Sequence, residues 1–282
     1  MPDGLRELIK QASKQLVARG IETAALDARL LLQAASGLRH EDIVAEPDLI
    51  LSADVTAKFW YMVERRCAFE PVSRIIGFRE FYGRSFWLTS AVLDPRADTE
   101  TLVGAALALA RGKGPLRILD LGTGSGAIAV TLLAELPAAI AVATDLSVAA
   151  LLVAMGNAEV LGVARRASFV PANWFDGVDG QFDLIVSNPP YIPLGDIAGL
   201  AADVRDFDPT RALDGGPDGL EAYRRIASGA GGFLAPGGHV LLEIGAGQEN
   251  EVNELFRAHG FVLEARHFDL AGHIRCVVFK RP

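Results

Sequence analysis

The chain has 282 residues, 50% of them hydrophobic, and a formal net charge of −8 at pH 7; that is enough apolar chain for one large core and a smaller one without covalent staples. The acidic balance lacks the electrostatic footprint of long nucleic-acid contacts, and the apolar runs stop well short of the roughly 20 residues that cross a bilayer, so no direct nucleic-acid binding, no membrane and a cytoplasmic location are expected. Cys67 and Cys276 stand far apart with no CxxC spacing or histidine cluster nearby, which predicts buried free thiols and neither a disulfide nor a metal site.

Residues 4–19, 24–36 and 53–68 each place apolar side chains at three- and four-residue spacing, which predicts amphipathic helices. Gly20 and Gly37 stop the first two, and Ser52 caps the third. They define a small helical domain over residues 1–70. The basic pairs Arg65-Arg66 and Arg224-Arg225 read as solvated helix faces. From Val72 to Thr89 the sequence turns aromatic and branched, with glycines at 77 and 83, and reads as a β-hairpin linker over residues 71–92. Residues 93–282 form the second domain. A helix over 98–111 leads into strands at 116–120, 140–145, 167–171 and 182–188, with helices over 126–136 and 147–162 between the first three. Short apolar strands alternating with helices argue for a parallel α/β sheet. Helices over 219–230 and 248–259 flank a strand at 239–244. The two closing strands, FVLEARHFD and IRCVVFK, are separated only by Leu270 to His273, too short for a helical crossover, so they pair antiparallel. A mostly parallel sheet closed in this way resembles the class I methyltransferase fold.

Three motifs carry chemistry. Gly122-Thr123-Gly124-Ser125-Gly126 falls between a predicted strand and a predicted helix, where glycine lets backbone approach a ligand and the helix start offers free N–H groups. Asp145 closes the next strand, placed to accept the ribose hydroxyl protons of an adenosine-containing cofactor; capping of the following helix, shared with Ser147, is the competing role. NAD and S-adenosylmethionine both satisfy this pair. Asn188-Pro189-Pro190-Tyr191 follows an apolar strand at the sheet's carboxyl edge. An amide NH₂ presents two hydrogens; the Asn188 side-chain oxygen and the Pro189 carbonyl would accept one each, and Tyr191 would stack on the planar group. Such a clamp works by positioning and needs no metal. Trp174, beside Asn173 after the third strand, is placed to cover an adenine face, or else to fill the core.

Taken together these residues resemble the release-factor glutamine methyltransferase family (the HemK/PrmC family). The likeness runs from about Arg65 to Arg275, through RRCAFEPVSRIIGFREFYG, VLDPRADTETLV, DLGTGSGAIAV, SNPPYI, ALDGGPDGLEAYRRI and LLEIGAGQ. It implies an α/β class I S-adenosylmethionine-dependent, Rossmann-like domain behind a helical substrate-recognition domain. It implies S-adenosyl-L-methionine as cofactor, bound by Gly122 to Gly126, Asp145, Trp174 and Asn188. It also implies methyl transfer to the glutamine N5 of the Gly-Gly-Gln motif of peptide chain release factors, with Asn188 to Tyr191 as the catalytic clamp. A ribosomal-protein glutamine methyltransferase and an adenine-N6 methyltransferase share the clamp, and a nucleoside-binding module without catalysis shares the loop. Asp94, Arg74 and Asn173 depart from the family's usual residues.

Overall fold

A computed structural model describes residues 3–281. The chain divides into two compact units, one running to Phe78 and including Ala201–Phe207, the other comprising Arg79–Leu200 and the chain from Asp208 onward.

The first unit is helical: α1 (Leu5–Ala18), α2 (Ala24–Ser36), α3 (His40–Ala45), α4 (Ala53–Cys67) and α5 (Val72–Ile76). Its core joins Leu5, Leu8 and Leu16 of α1, Leu31 and Leu32 of α2, and Phe59 and Val63 of α4, all at most 2% exposed. Gly37 ends α2 in the left-handed region at φ 74°, which glycine adopts without a Cβ clash. The Ser52 hydroxyl accepts from the Val55 N–H at 3.4 Å and caps α4. Arg66 is not on a solvated face. Its Nε lies 2.7 Å from Oδ2 of Asp27, with side chains 12% and 7% exposed, and the same oxygen accepts from the Thr23 hydroxyl. A buried pair of this kind is strongly destabilising to break, because one charge is then left stranded.

Residues 72–76, expected as the start of the hairpin, instead form α5. Pro71 starts it, Gly77 ends it at φ 82°, and Ile75 is buried in the helical core. Five residues are too few to show a helical period, and their branched side chains suit a strand equally well. The hairpin is shorter: β1 (Phe78–Phe81) and β2 (Arg84–Trp87), joined through Tyr82 and Gly83 at φ 52° and 69°. Positive φ at both central residues gives the turn the twist that antiparallel strands require.

In the second unit a 3₁₀ turn, Ala97–Thr99, runs into α6 (Glu100–Ala110). The alternating part follows as β3 (Arg117–Leu121), α7 (Ala127–Glu135), β4 (Ile140–Asp145), α8 (Val148–Val160), β5 (Ala167–Pro171) and β6 (Phe182–Ser187). After α9 (Ala202–Arg205), which groups with the helical unit, come α10 (Glu221–Phe233), β7 (Leu234–Glu243), α11 (Glu249–Ala258), β8 (Val262–Phe268) and β9 (Ile274–Lys280). The seven strands lie in the order β5-β4-β3-β6-β7-β9-β8. Pairing is parallel from β5 to β7, and β9 runs antiparallel to both neighbours. Along β3 the side chains alternate between two buried faces: Ile118 packs into one core, Leu119 and Leu121 into the other. Strand order reverses between β3 and β6, which opens a crevice at their carboxyl ends, where open α/β sheets bind ligands.

Candidate active site

The glycine loop leaves β3 at Leu121. Gly122, Gly124 and Gly126 all have positive φ, at 71°, 56° and 81°. A Cβ on Gly122 or Gly124 would meet nothing within 4 Å, whereas one on Gly126 would sit 3.1 Å from the Ala154 Cβ and 3.2 Å from Val130 Cγ2. The first two glycines thus open space toward the crevice, and the third lets α7 and α8 close together. Asp120 braces the loop from beneath. It is fully buried, and its Oδ2 accepts from the Thr123 hydroxyl at 2.6 Å and from the Ala129 N–H at 3.2 Å. Its Oδ1 has no hydrogen-bond partner among the described residues. Burial raises its pKa to about 7, against the lowering effect of those two hydrogen bonds.

Asp145, at the end of β4, is half-buried and does two jobs at once. Its Oδ2 accepts from the Gly124 N–H at 2.9 Å, and its Oδ1 from the Ser147 N–H at 2.8 Å. Ser147 itself caps α8 by accepting from the Ala150 N–H at 3.3 Å. Each Asp145 oxygen keeps further lone-pair capacity for a ribose hydroxyl. Trp174 stands at φ 60°, a conformation uncommon for a bulky residue and worth reading as a constraint of the site. It packs against the core and also borders the crevice.

β6 is pinned beside β3 by the Ser187 hydroxyl, which donates to the Leu121 carbonyl at 2.7 Å. Asn188 follows. Its Nδ2 donates to the Thr99 oxygen at 3.0 Å, and the Thr99 hydroxyl donates to Oε2 of Glu243 at 2.6 Å. Tyr191 donates its hydroxyl to Oε1 of the same carboxyl at 3.3 Å. Glu243 is 1% exposed, and burial raises its pKa to about 7, with Thr99, Arg275 and Tyr191 pulling it back. The Tyr191 phenol is pushed well above its usual range by burial and by the Glu243 charge. The exit of the turn is clamped as well. Gln248 Nε2 donates to the Tyr191 carbonyl at 3.0 Å, and a Cβ on Gly219 would come within 2.5 Å of that same carbonyl oxygen.

One cavity unites these parts. Gly122 to Ser125, Asp145, Trp174, Asn188 and Pro190 all border it; Gly126, Pro189 and Tyr191 adjoin these residues in the chain and are not part of its lining. Pro95, Arg96, Thr99 and Arg211 also line it. Arg96 pairs with the buried Asp208 at 2.5 Å, whose Oδ1 accepts from the Asp94 N–H at 3.3 Å. The Asp94 carboxylate in turn lies 3.6 Å from Arg79, which accommodates an acid at a position where an apolar residue is usual. Thr99, Glu243 and Gln248 were not read as site residues. The signal for Glu243 was a lone acid inside the apolar run HVLLEI, a residue type rarely buried without a partner.

Two family models match the chain: the PrmC N-terminal domain over residues 7–77 and the methyltransferase small domain over residues 102–198. Among solved structures, a methyltransferase from Pyrococcus furiosus superimposes with a TM-score of 0.51 at 19% identity, covering 71% of this chain and 89% of its own. The ribosomal protein L11 methylase from Lactobacillus delbrueckii subsp. bulgaricus gives 0.50 at 23%, covering 66% and 80%. Likeness at that identity speaks for the fold. A seven-stranded sheet of this order, with a glycine loop after β3, an acid at the end of the neighbouring β4 and the methyltransferase domain match, defines a class I S-adenosylmethionine-dependent methyltransferase. The particular family follows from closer relatives. The release factor glutamine methyltransferase of Agrobacterium fabrum is 44% identical over 96% of this chain and 95% of its own, and that of Cereibacter sphaeroides 46% identical over 98% of each. The chain belongs to the release factor glutamine methyltransferase family.

The donor set fits S-adenosylmethionine. Gly122 and Gly124 leave room for backbone approach, Asp145 offers carboxylate oxygens, and Asn173 and Trp174 border the far end of the same cavity. The cofactor supplies an electrophilic methyl group on a sulfonium.

Proposed function

We propose that this enzyme methylates the side-chain amide nitrogen, N5, of the glutamine in the Gly-Gly-Gln motif of peptide chain release factors, and works in the cytoplasm. The observation that carries the reading is the orientation of Asn188: its Nδ2 is engaged by Thr99, while its Oδ1 accepts no hydrogen bond among the described residues. An acceptor at the cavity wall suits a target that brings N–H groups. A primary amide brings two, and the Pro189 carbonyl is the second acceptor beside Asn188. With both hydrogens drawn into that plane, the nitrogen lone pair would face the methyl carbon. The N–C bond would form as the C–S bond breaks with its electron pair left on sulfur, and the nitrogen would give up one of its two protons to solvent. Alignment of that quality lowers a barrier by up to about 7–11 kcal/mol. Asp145 would hold the ribose, Trp174 would cover the adenine, and the Tyr191 ring, anchored through its hydroxyl, would steady the planar amide. To the helical unit, which matches the PrmC N-terminal domain, this reading gives recognition of the release factor.

The test is to incubate the enzyme with labelled S-adenosylmethionine and, separately, purified release factor, ribosomal protein and nucleic acid. Label on the release factor is the expected result, and it should vanish when the Gly-Gly-Gln glutamine is replaced by glutamate, which has no nitrogen to methylate. Label retained on the glutamate variant, or found on an adenine amine instead, would overturn the proposal.

A further inference from the structure

The clamp residue Asn188 is held by groups far away in the chain. Thr99 has one hydroxyl proton, and Glu243, buried at the end of β7, receives it at 2.6 Å. An ionised carboxylate accepts only, so the Thr99 oxygen is left facing Asn188 as an acceptor. It can be met there only by the Asn188 NH₂, at 3.0 Å. The other Glu243 oxygen takes the Tyr191 hydroxyl proton. One carboxylate therefore sets two of the clamp's side chains. The two faces of an asparagine amide are nearly equal in shape, and without this chain of donors a flip would turn Nδ2 toward the target, setting donor against donor.

We propose that Thr99 and Glu243 are positioning residues of the methyl transfer: Glu243 orients the Thr99 hydroxyl, Thr99 fixes the amide of Asn188 with Oδ1 toward the target nitrogen, and Glu243 anchors Tyr191 beside it. The inference rests on the reading of Asn188 as the clamp.

Protonation of Glu243 would break the arrangement. A proton on either oxygen turns that oxygen into a donor, and the hydroxyl facing it must reverse. The groups around Glu243 set where this happens. Asp98 from the 3₁₀ turn raises its pKa; Arg275 from β9 and the Thr99 and Tyr191 hydroxyls lower it, and burial outweighs them, for a value of about 7. Tyr223 from α10 donates its hydroxyl to the Glu243 backbone carbonyl. Burial, and after it the Glu243 charge, push the Cys276 thiol on β9 well up, so it stays protonated. Arg96 faces Tyr191.

The experiment measures kcat, KM for the methyl acceptor and cofactor affinity for Thr99→Val, Thr99→Ser, Glu243→Gln and Asn188→Ala, with a pH profile of kcat. Thr99→Val keeps the shape and loses the relay, so kcat should fall about 10- to 100-fold, the equivalent of one hydrogen bond to a charged group, with cofactor affinity unchanged. Thr99→Ser restores the hydroxyl and should restore kcat. The parent enzyme's kcat should fall on the acid side with a midpoint near 7, and Glu243→Gln should flatten that limb. Normal kcat in Thr99→Val, equal loss in the valine and serine variants, or an acid limb untouched by Glu243→Gln would each overturn the inference. Asn188→Ala separates the two claims: if it turns over normally, the clamp reading falls first; if it is impaired while Thr99→Val is normal, only the positioning role falls.

Discussion

In the proposed clamp Asn188 presents one chemical face to the target and keeps the other occupied, and the hydrogen bond to Thr99 is what distinguishes them. Replacing it with alanine removes the acceptor without placing a charge in the cavity. Turnover is expected to drop by at least about 100-fold, which corresponds to roughly 2.7 kcal/mol of lost transition-state stabilisation. Cofactor affinity, measured by calorimetric titration, should change far less, because Asp145 and the glycine loop keep their own bonds. Asn188→Asp keeps an acceptor but adds charge, and it loses the donor that Thr99 now receives; it should be impaired as well. Normal turnover in Asn188→Ala would remove the clamp from the mechanism. At this scale much was legible. That Asn188, Asp145 and the first glycines of the loop border one cavity could be anticipated because each motif is short and contiguous, with its residue types a few positions apart.

Among the elements, α7 and α8 show what a single glycine decides. Gly126 begins α7 at φ 81°, with Ala154 of α8 at its back. Alanine there combines left-handed strain, about 1–2 kcal/mol, with overpacking of roughly 1–3 kcal/mol. Gly122→Ala carries the strain alone, since nothing lies within 4 Å of its added Cβ. Urea unfolding should therefore show the Gly126 variant as the less stable of the two. The Gly122 variant should instead show its main loss in cofactor binding, where the methyl group intrudes on the cavity. Equal destabilisation would mean that the helix contact is softer than the geometry implies. The long elements were legible because strands of period two and helices of period 3.6 leave a pattern over many residues. α3 and α5 were not, at six and five residues. β7 begins at Leu234, before the expected His239, since Ala-Pro-Gly-Gly in its first half looks like a turn in isolation.

For the molecule as a whole, two buried acids make stability depend on pH in an unusual direction. Asp120 and Glu243 have ordinary values of 3.8 and 4.5, and burial raises each to about 7. The folded chain thus binds protons more tightly than the unfolded one between those limits, and their contribution to stability is lost as pH rises from about 4.5 to 7. His239, whose pKa burial lowers, works the other way at the acid end. Comparing variants isolates the effect: the Tm of Glu243→Gln should fall less from about pH 5 to about pH 7 than that of the parent. Parallel curves would place the Glu243 pKa near its ordinary value.

Deleting the helical unit through residue 78 should leave S-adenosylmethionine binding in the remaining chain and lose most activity on an intact release factor. A cut at residue 70 is the poorer choice, because it strands α5, whose Ile75 belongs to the helical core. Full activity on the intact factor after the deletion would deny that unit a recognition role.

The sequence by itself determined the α/β sheet with its antiparallel close, the glycine loop and the acid that ends the next strand, and the Asn-Pro-Pro-Tyr turn, because each is written in neighbouring residues. Only the tertiary structure decided what holds that turn. Thr99 meets Asn188 across 89 positions, Glu243 meets Thr99 across 144, and Gln248 meets Tyr191 across 57. Those meetings depend on strand order and register, with β7 laid beside β6 and α6 led in by its 3₁₀ turn, and local periodicity carries no record of which distant strand will be a neighbour. Burial decided the rest: the same carboxyl groups are ordinary acids in an extended chain and become proton-holding groups near neutral pH only when the folded sheet takes water away from them.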